Sequence, residues 1–230
     1  MQKPVFGRRG LSLHSLALVL LSGSLLLGAA DAGAAWSLDP VLRKAEKRYG
    51  RSGPAKDRLQ AWQDLLQSGR QLTERQQLEA VNRQINQQVR FTDDRALWQR
   101  SDYWATPVET LAKGAGDCED FALAKYFTLL QLGVAPDKLR ITYVRALKLR
   151  QAHMVVSYYE TPDAEPLVLD NLVDDILPLS RRDDLAVRYA FDAQGLYSMK
   201  GDAPRRIGDT AELPFWRGLL ARMEREGFSL

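Results

Sequence analysis

Apolar residues recur every three to four positions through the first half of this chain and every second position through much of the rest. Leu59, Trp62 and Leu65/Leu66, then Leu78, Val81, Ile85 and Val89, fall on one face of a 3.6-residue period. The spacing predicts helices over residues 55–67 and 72–89, the second with Gln, Arg and Glu on its other faces. A shorter helix is expected over residues 40–49, broken by Gly50 and Gly53. Asp93-Asp94 and Ser101-Asp102 punctuate a loop containing Trp98 and Trp104. Thr106 as N-cap and Pro107 at the first helical position open another helix, ended by Gly114-Ala115-Gly116. Asp117 then caps a helix that runs to Leu132, with Gly133 behind it. Phe121, Leu123, Phe127, Leu129, Leu130 and Leu132, with Ala122 and Ala124, make that helix apolar nearly all round, so it belongs at the centre of the fold.

Beyond Gly133 the period falls to two. Residues 139–147, 152–159 and 166–172 read as strands, 187–191 and 195–199 as weaker ones, and 213–226 as a closing helix. Helices, one buried helix, then an antiparallel sheet define an α+β fold without internal repeats.

The first 35 residues stand apart. Lys3, Arg8 and Arg9 precede an apolar run from Leu11 to Leu27, then small residues in which Ala30-Asp31-Ala32 and Ala32-Gly33-Ala34 both fit a cleavage site. This is the pattern of a secretory signal peptide over residues 1–35, with an uncleaved anchor as the alternative and one domain over residues 36–230. Arg8-Arg9 leaves the export route open between the general and twin-arginine pathways. Cleavage after Ala32 leaves 29 basic and 28 acidic residues of the original 32 and 29, a net charge of +1 in place of +3. That balance, without a Lys/Arg block, argues against nucleic acid as partner. No other stretch is long and apolar enough to span a membrane, so the expectation is a soluble, exported protein. A single cysteine excludes an internal disulfide.

The chemistry gathers on few residues. Cys118 follows a Gly-Ala-Gly-Asp run at a helix start, where the dipole favours a thiolate and the glycines admit a substrate backbone. With His14 in the signal segment, His153 is the only histidine of the mature chain and the only side chain there that ordinarily titrates near neutrality. Cys118 and His153 make a nucleophile and base. A third group should orient the imidazole. A hairpin turning at Thr161-Pro162 puts Asp170 directly opposite His153, and a turn two residues later puts Asp174 there instead. Asp117, Glu119 and Asp120 crowd the cysteine; three carboxylates would hold the thiol protonated unless a cation neutralised them. Oxygen donors alone point to a hard cation, calcium before zinc.

Residues 102–122 (DYWATPVETLAKGAGDCEDFA), 151–155 (QAHMV) and 166–171 (PLVLDN), in this order, resemble the bacterial transglutaminase-like cysteine proteinases, most densely from Val81 to Leu172. The resemblance implies a papain-like, transglutaminase-type fold, with Cys118 as nucleophile, His153 as base and Asp170 as orienting acid. It implies a Ca2+-dependent periplasmic endopeptidase with Asp117, Glu119 and Asp120 as metal ligands. Its implied substrate is the N-terminal region of a large repeat adhesin, cut within a di-alanine sequence, which releases the adhesin and promotes biofilm dispersal. Its implied regulator is a LapD-like inner-membrane receptor for cyclic-di-GMP that sequesters the protease. The backbone N–H of Cys118 is one expected oxyanion donor, and the Trp104 indole and Asn82 amide are candidates for a second. Two rivals remain: a transglutaminase that passes the acyl group to an amine, and a non-catalytic calcium-binding interaction module. A cell-wall peptidase with a second histidine in its triad is excluded by the lone His153.

Overall fold

The computed structural model describes residues 38–199 and 204–228, so the segment read as a signal peptide lies outside the described residues. The helices are α1 (Asp39–Tyr49), α2 (Pro54–Ser68), α3 (Glu74–Gln88), α4 (Asp94–Leu97), α5 (Pro107–Lys113), α6 (Cys118–Gln131) and α7 (Pro214–Glu226). The strands are β1 (Arg90–Phe91), β2 (Ala115–Gly116), β3 (Leu139–Ala146), β4 (Gln151–Tyr158), β5 (Leu167–Leu169), β6 (Leu177–Pro178), β7 (Leu185–Phe191), β8 (Leu196–Ser198) and β9 (Arg205–Gly208).

The expected helices form because their ends are locally specified. Thr73 opens α3 through a capping box with Gln76, and Thr106 opens α5 through one with Glu109. Gly114 leaves α5 in the left-handed region at φ +60°, a turn its missing Cβ permits. Helix α6 is the buried axis the apolar run demanded, with every residue from Asp120 to Leu129 buried. Trp62 of α2 is fully buried, and its indole N–H donates to Thr128 of α6 at 2.9 Å, so the outer helix meets the central one without orphaning a polar group.

Strands β3 to β9 form one antiparallel sheet in the order β6-β5-β4-β3-β7-β8-β9. Leu139, Ile141, Met154, Val156 and Leu169 face the main core with α6, while Val144, Val155 and Val168 form a smaller cluster of their own. The central strands β3, β4 and β5 therefore bury apolar residues on both faces.

The register of the β4–β5 hairpin corrects one expectation. Val156 pairs with Leu169 and Tyr158 with Leu167, so His153 and Asp170 are not directly opposite. The turn spans Thr161–Ala164, closed by the Ala164 N–H on the Thr161 carbonyl at 3.0 Å, and this displaces the pairing by two residues. A shift of two keeps every side chain on its own face, so His153 and Asp170 become diagonal neighbours and still meet. The expected strand over residues 166–172 is also shorter. It ends at Leu169, because the Asp170 carboxylate turns back to accept the Leu172 N–H at 3.1 Å.

Candidate active site

Cys118 is placed by the segment before it. Arg58 donates to the carbonyls of Leu111 at 2.6 Å and Ala112 at 2.7 Å, satisfying the end of α5. Ala115 and Gly116 then pair in parallel with Arg90 and Phe91, and Thr92 N–H donates to the Gly116 carbonyl at 2.9 Å. This pinning delivers Asp117 to the N-cap of α6 and Cys118 to its first turn. A Cβ on Gly116 would stand 2.6 Å from Asp120 Oδ2 and 2.7 Å from its Cβ. Gly116→Ala is therefore expected to push Asp120 out of place and to destabilise the fold by about 1–3 kcal/mol, the usual result of overpacking, which urea unfolding would measure.

The sulfur of Cys118 lies against β4, with the Met154 backbone N–H facing it, and the thiol donates to Glu119 Oε2 at 3.0 Å. Burial pushes the Cys118 thiol up, and the charges of Glu119 and Asp117 push the same way. Met154 follows His153, so the strand that faces the sulfur also carries the imidazole. His153 Nε2 lies 2.7 Å from Asp170 Oδ1, both side chains buried. Asp174, the other residue that the sequence offered for this place, instead accepts from the Asn86 amide at 2.7 Å.

The second oxygen of Asp170 accepts from the buried Arg182 guanidinium at 2.6 Å, and Arg182 also holds Asp184 at 2.9 Å. Burial alone would raise the Asp170 carboxyl, but the hydrogen bond and charge of His153, with Arg182, outweigh it and hold the group at about 2. Lys125 lies two helical turns beyond Cys118, is 1% exposed, and has no hydrogen-bond partner for its ammonium. Burial lowers it to about 7, opposed by the charges of Asp170 and Asp174. Asp170 is thus kept ionised from several sides.

Around the thiol the structure collects more carboxylates than the sequence suggested. Ligand atoms of Asp94, Asp117 and Asp120 lie within 4.8 Å of one another, as do those of Asp94, Asp102 and Glu119, and those of Asp117, Cys118 and Glu119. Asp94 Oδ1 and Asp117 Oδ1 are buried without a hydrogen-bond partner. Burial raises Asp94 to about 6 and Asp117 to about 10, the latter with Glu119 and Asp120 adding to it. Asp120 is fully buried, and its two oxygens accept from Ala105 N–H at 2.7 Å and Asp117 N–H at 3.4 Å, so it also braces the turn. Orphaned carboxylate oxygens packed this closely fit a hard divalent cation.

Both side-chain candidates for a second oxyanion donor are engaged elsewhere. The Asn82 amide donates to the Asp174 carbonyl at 2.8 Å, and the Trp104 indole serves the Asp102 carboxylate. Sequence reasoning did not find Asp94, Asp102, Lys125, Arg182 or Asn86. Lys125 alone had a signal, as the only charge in an otherwise apolar stretch of α6. Arg182 sits in a polar Ser-Arg-Arg-Asp-Asp run that reads as solvent-exposed. Asp94 reaches the site only through the two-residue parallel pairing of β1 with β2, too short to leave a period.

A thiol at the start of a buried helix, beside a sheet that presents a hydrogen-bonded histidine and aspartate, defines a papain-like cysteine peptidase, and the family comparison agrees. The model of the bacterial transglutaminase-like cysteine proteinases matches residues 59–190, and the chain belongs to that family. It is similar to the solved structures of Legionella pneumophila LapG. The EGTA-treated form shares 42% identity over 81% of this chain and 97% of that one, with a TM-score of 0.73. The calcium-bound form shares 43% identity over 79% and 98%, with a TM-score of 0.68. No curated protein matches the chain.

Proposed function

We propose that this protein is a calcium-dependent periplasmic cysteine endopeptidase that cuts the N-terminal region of a large surface adhesin at a di-alanine sequence, with release of the adhesin and biofilm dispersal as the outcome. The observation that carries the reading is the buried His153–Asp170 hydrogen bond on the strand that faces the Cys118 sulfur. With Nε2 committed to Asp170, Nδ1 is the nitrogen left to take the thiol proton. Asp170 fixes that tautomer, and Arg182 keeps Asp170 ionised. The thiolate attacks the scissile carbonyl, and the Cys118 N–H at the start of α6 donates to the developing oxyanion. Imidazolium protonates the departing amine. Water, deprotonated by His153, then hydrolyses the acyl-enzyme.

Asp117, Glu119 and Asp120, joined by Asp94 and Asp102, would hold calcium. A LapG structure in the calcium-bound form and one treated with EGTA support that choice of ion. Bound there, the ion would supply positive charge to carboxylates that otherwise hold the thiol protonated. Export through the N-terminal segment would place the enzyme in the periplasm. Among the described residues no helix is long and apolar enough to cross a membrane. A LapD-like receptor for cyclic-di-GMP is the regulator we propose, acting by sequestration.

The test is cleavage of an adhesin N-terminal fragment by the mature chain in calcium, in excess EGTA, and in EGTA followed by calcium. One cut that EGTA abolishes and calcium restores is the expected result. Amine incorporation without a cut would assign a transglutaminase. Calcium binding with neither reaction would assign an interaction module.

A further inference from the structure

Residues 102–106 form a strap between α4 and α5 that runs past the carboxylate cluster. Its backbone groups alternate in direction. Tyr103 N–H donates to Asp94 Oδ2 at 2.5 Å and Ala105 N–H to Asp120 Oδ1 at 2.7 Å, both toward the cluster. The Trp104 carbonyl, in the same trans peptide group as the Ala105 N–H and so directed opposite to it, accepts from the Arg222 guanidinium of α7. Arg222 also lies over the Tyr103 ring, 4.5 Å from its centroid, and stands 3.6 Å from Glu109. The Tyr103 hydroxyl donates to Glu109 at 3.0 Å, and Glu109 is fully buried. The guanidinium thus grips one peptide group and one ring of the strap, from the side opposite the carboxylates.

We infer that Arg222 is a positioning residue for the cation site: its bond to the Trp104 carbonyl sets the Ala105 N–H of the same peptide group, its contact with the Tyr103 ring sets the Tyr103 N–H, and these set the Asp120 and Asp94 carboxylates. The inference rests on the calcium reading above. It makes the C-terminal helix, remote in sequence from every carboxylate of the cluster, a determinant of calcium affinity. Outer partners that orient metal ligands typically change metal affinity about 10- to 100-fold when removed. Arg222 has the geometry of such a partner, acting through the Trp104–Ala105 peptide group and the Tyr103 residue and not through a side chain of its own in the cluster.

The experiment is a calcium-binding isotherm, by calorimetry, on the wild type and on Arg222→Met, Arg222→Lys and Arg225→Met, with thermal unfolding in excess calcium run alongside. Arg222→Met is expected to raise the calcium Kd about 10-fold or more. Arg222→Lys keeps a charge and a donor but loses the planar stack on Tyr103, and is expected to raise Kd about threefold. Arg225 is on the same helix, its side chain is exposed, and its backbone carbonyl accepts from Lys44. Arg225→Met should leave Kd as in wild type. An unchanged Kd in both Arg222 variants would overturn the inference, as would an equal loss in Arg225→Met, which would mean general weakening of the helix. Should Arg222→Met fail to fold, the Arg222→Lys isotherm decides alone. A wild type that binds no calcium would instead refute the calcium reading.

Discussion

Cys118→Ser is expected to lower kcat/KM for peptide cleavage by roughly 10^3- to 10^6-fold, the range seen when an acting nucleophile is removed from a hydrolase. The substitution is close to isosteric, so the buried surroundings and the cap of α6 are preserved. What changes is the proton. A hydroxyl gives up its proton to an imidazole far less readily than a thiol does, and this site already disfavours the anion by burial and by Glu119. Calcium affinity and the urea midpoint should stay near wild type, because the sulfur is not among the oxygen donors and its removal opens no cavity. Those two measurements separate a chemical loss from a folding loss. Cleavage retained above a tenth of wild type would remove Cys118 from the nucleophile's role.

Arg182→Met is expected to destabilise the protein by about 3–5 kcal/mol, the cost of leaving a buried carboxylate without its cation. Arg182 is 2% exposed and bonds both Asp170 and Asp184. The pH dependence has a definite sign. Asp170 titrates at about 2 in the folded protein, against about 3.9 for a free aspartate. The stability this difference supplies is complete above the free value and is lost as pH falls through the folded one. Without Arg182 the Asp170 carboxyl rises, so acid unfolding should begin at higher pH. Urea unfolding at pH 7, repeated at steps down to pH 3, measures both effects. Activity should fall as well, since a protonated Asp170 no longer holds the imidazolium. An unchanged acid limb would show that Asp170 stays ionised without Arg182, through His153 and its other partners.

The parts of this fold legible in the sequence are those specified over a few residues. Thr106-Pro107, Asp117 and the apolar run after Phe121 announce α5 and α6 because caps and helical periods are local. Cys118 and His153 were legible because each is the only one of its kind in the mature chain. Asp170 was proposed from a pairing that is two residues off, and it still meets His153 because a two-residue shift preserves the face. The rest depends on distance along the chain. Asp94 and Asp102 join Glu119 only after the loop between α3 and α5 folds back. Arg182 reaches Asp170 only through the turn after β6. Strand β9 carries Arg205, Arg206 and one exposed isoleucine, so it has too little apolar alternation to be read.

The two ends of the sheet bear on how this protein meets extended chains. One edge, β6, is two residues long and includes Pro178, which has no N–H to offer. The other, β9, sets two arginines side by side on an exposed strand. A neighbouring strand added at either edge would gain few hydrogen bonds at the first and would bury guanidinium groups at the second. Short, proline-bearing or charged edges are how β-sheets avoid aggregating with one another. A sheet closed in this way resists extension by a foreign strand from either side, so an extended chain is not captured by simple strand addition at its edges.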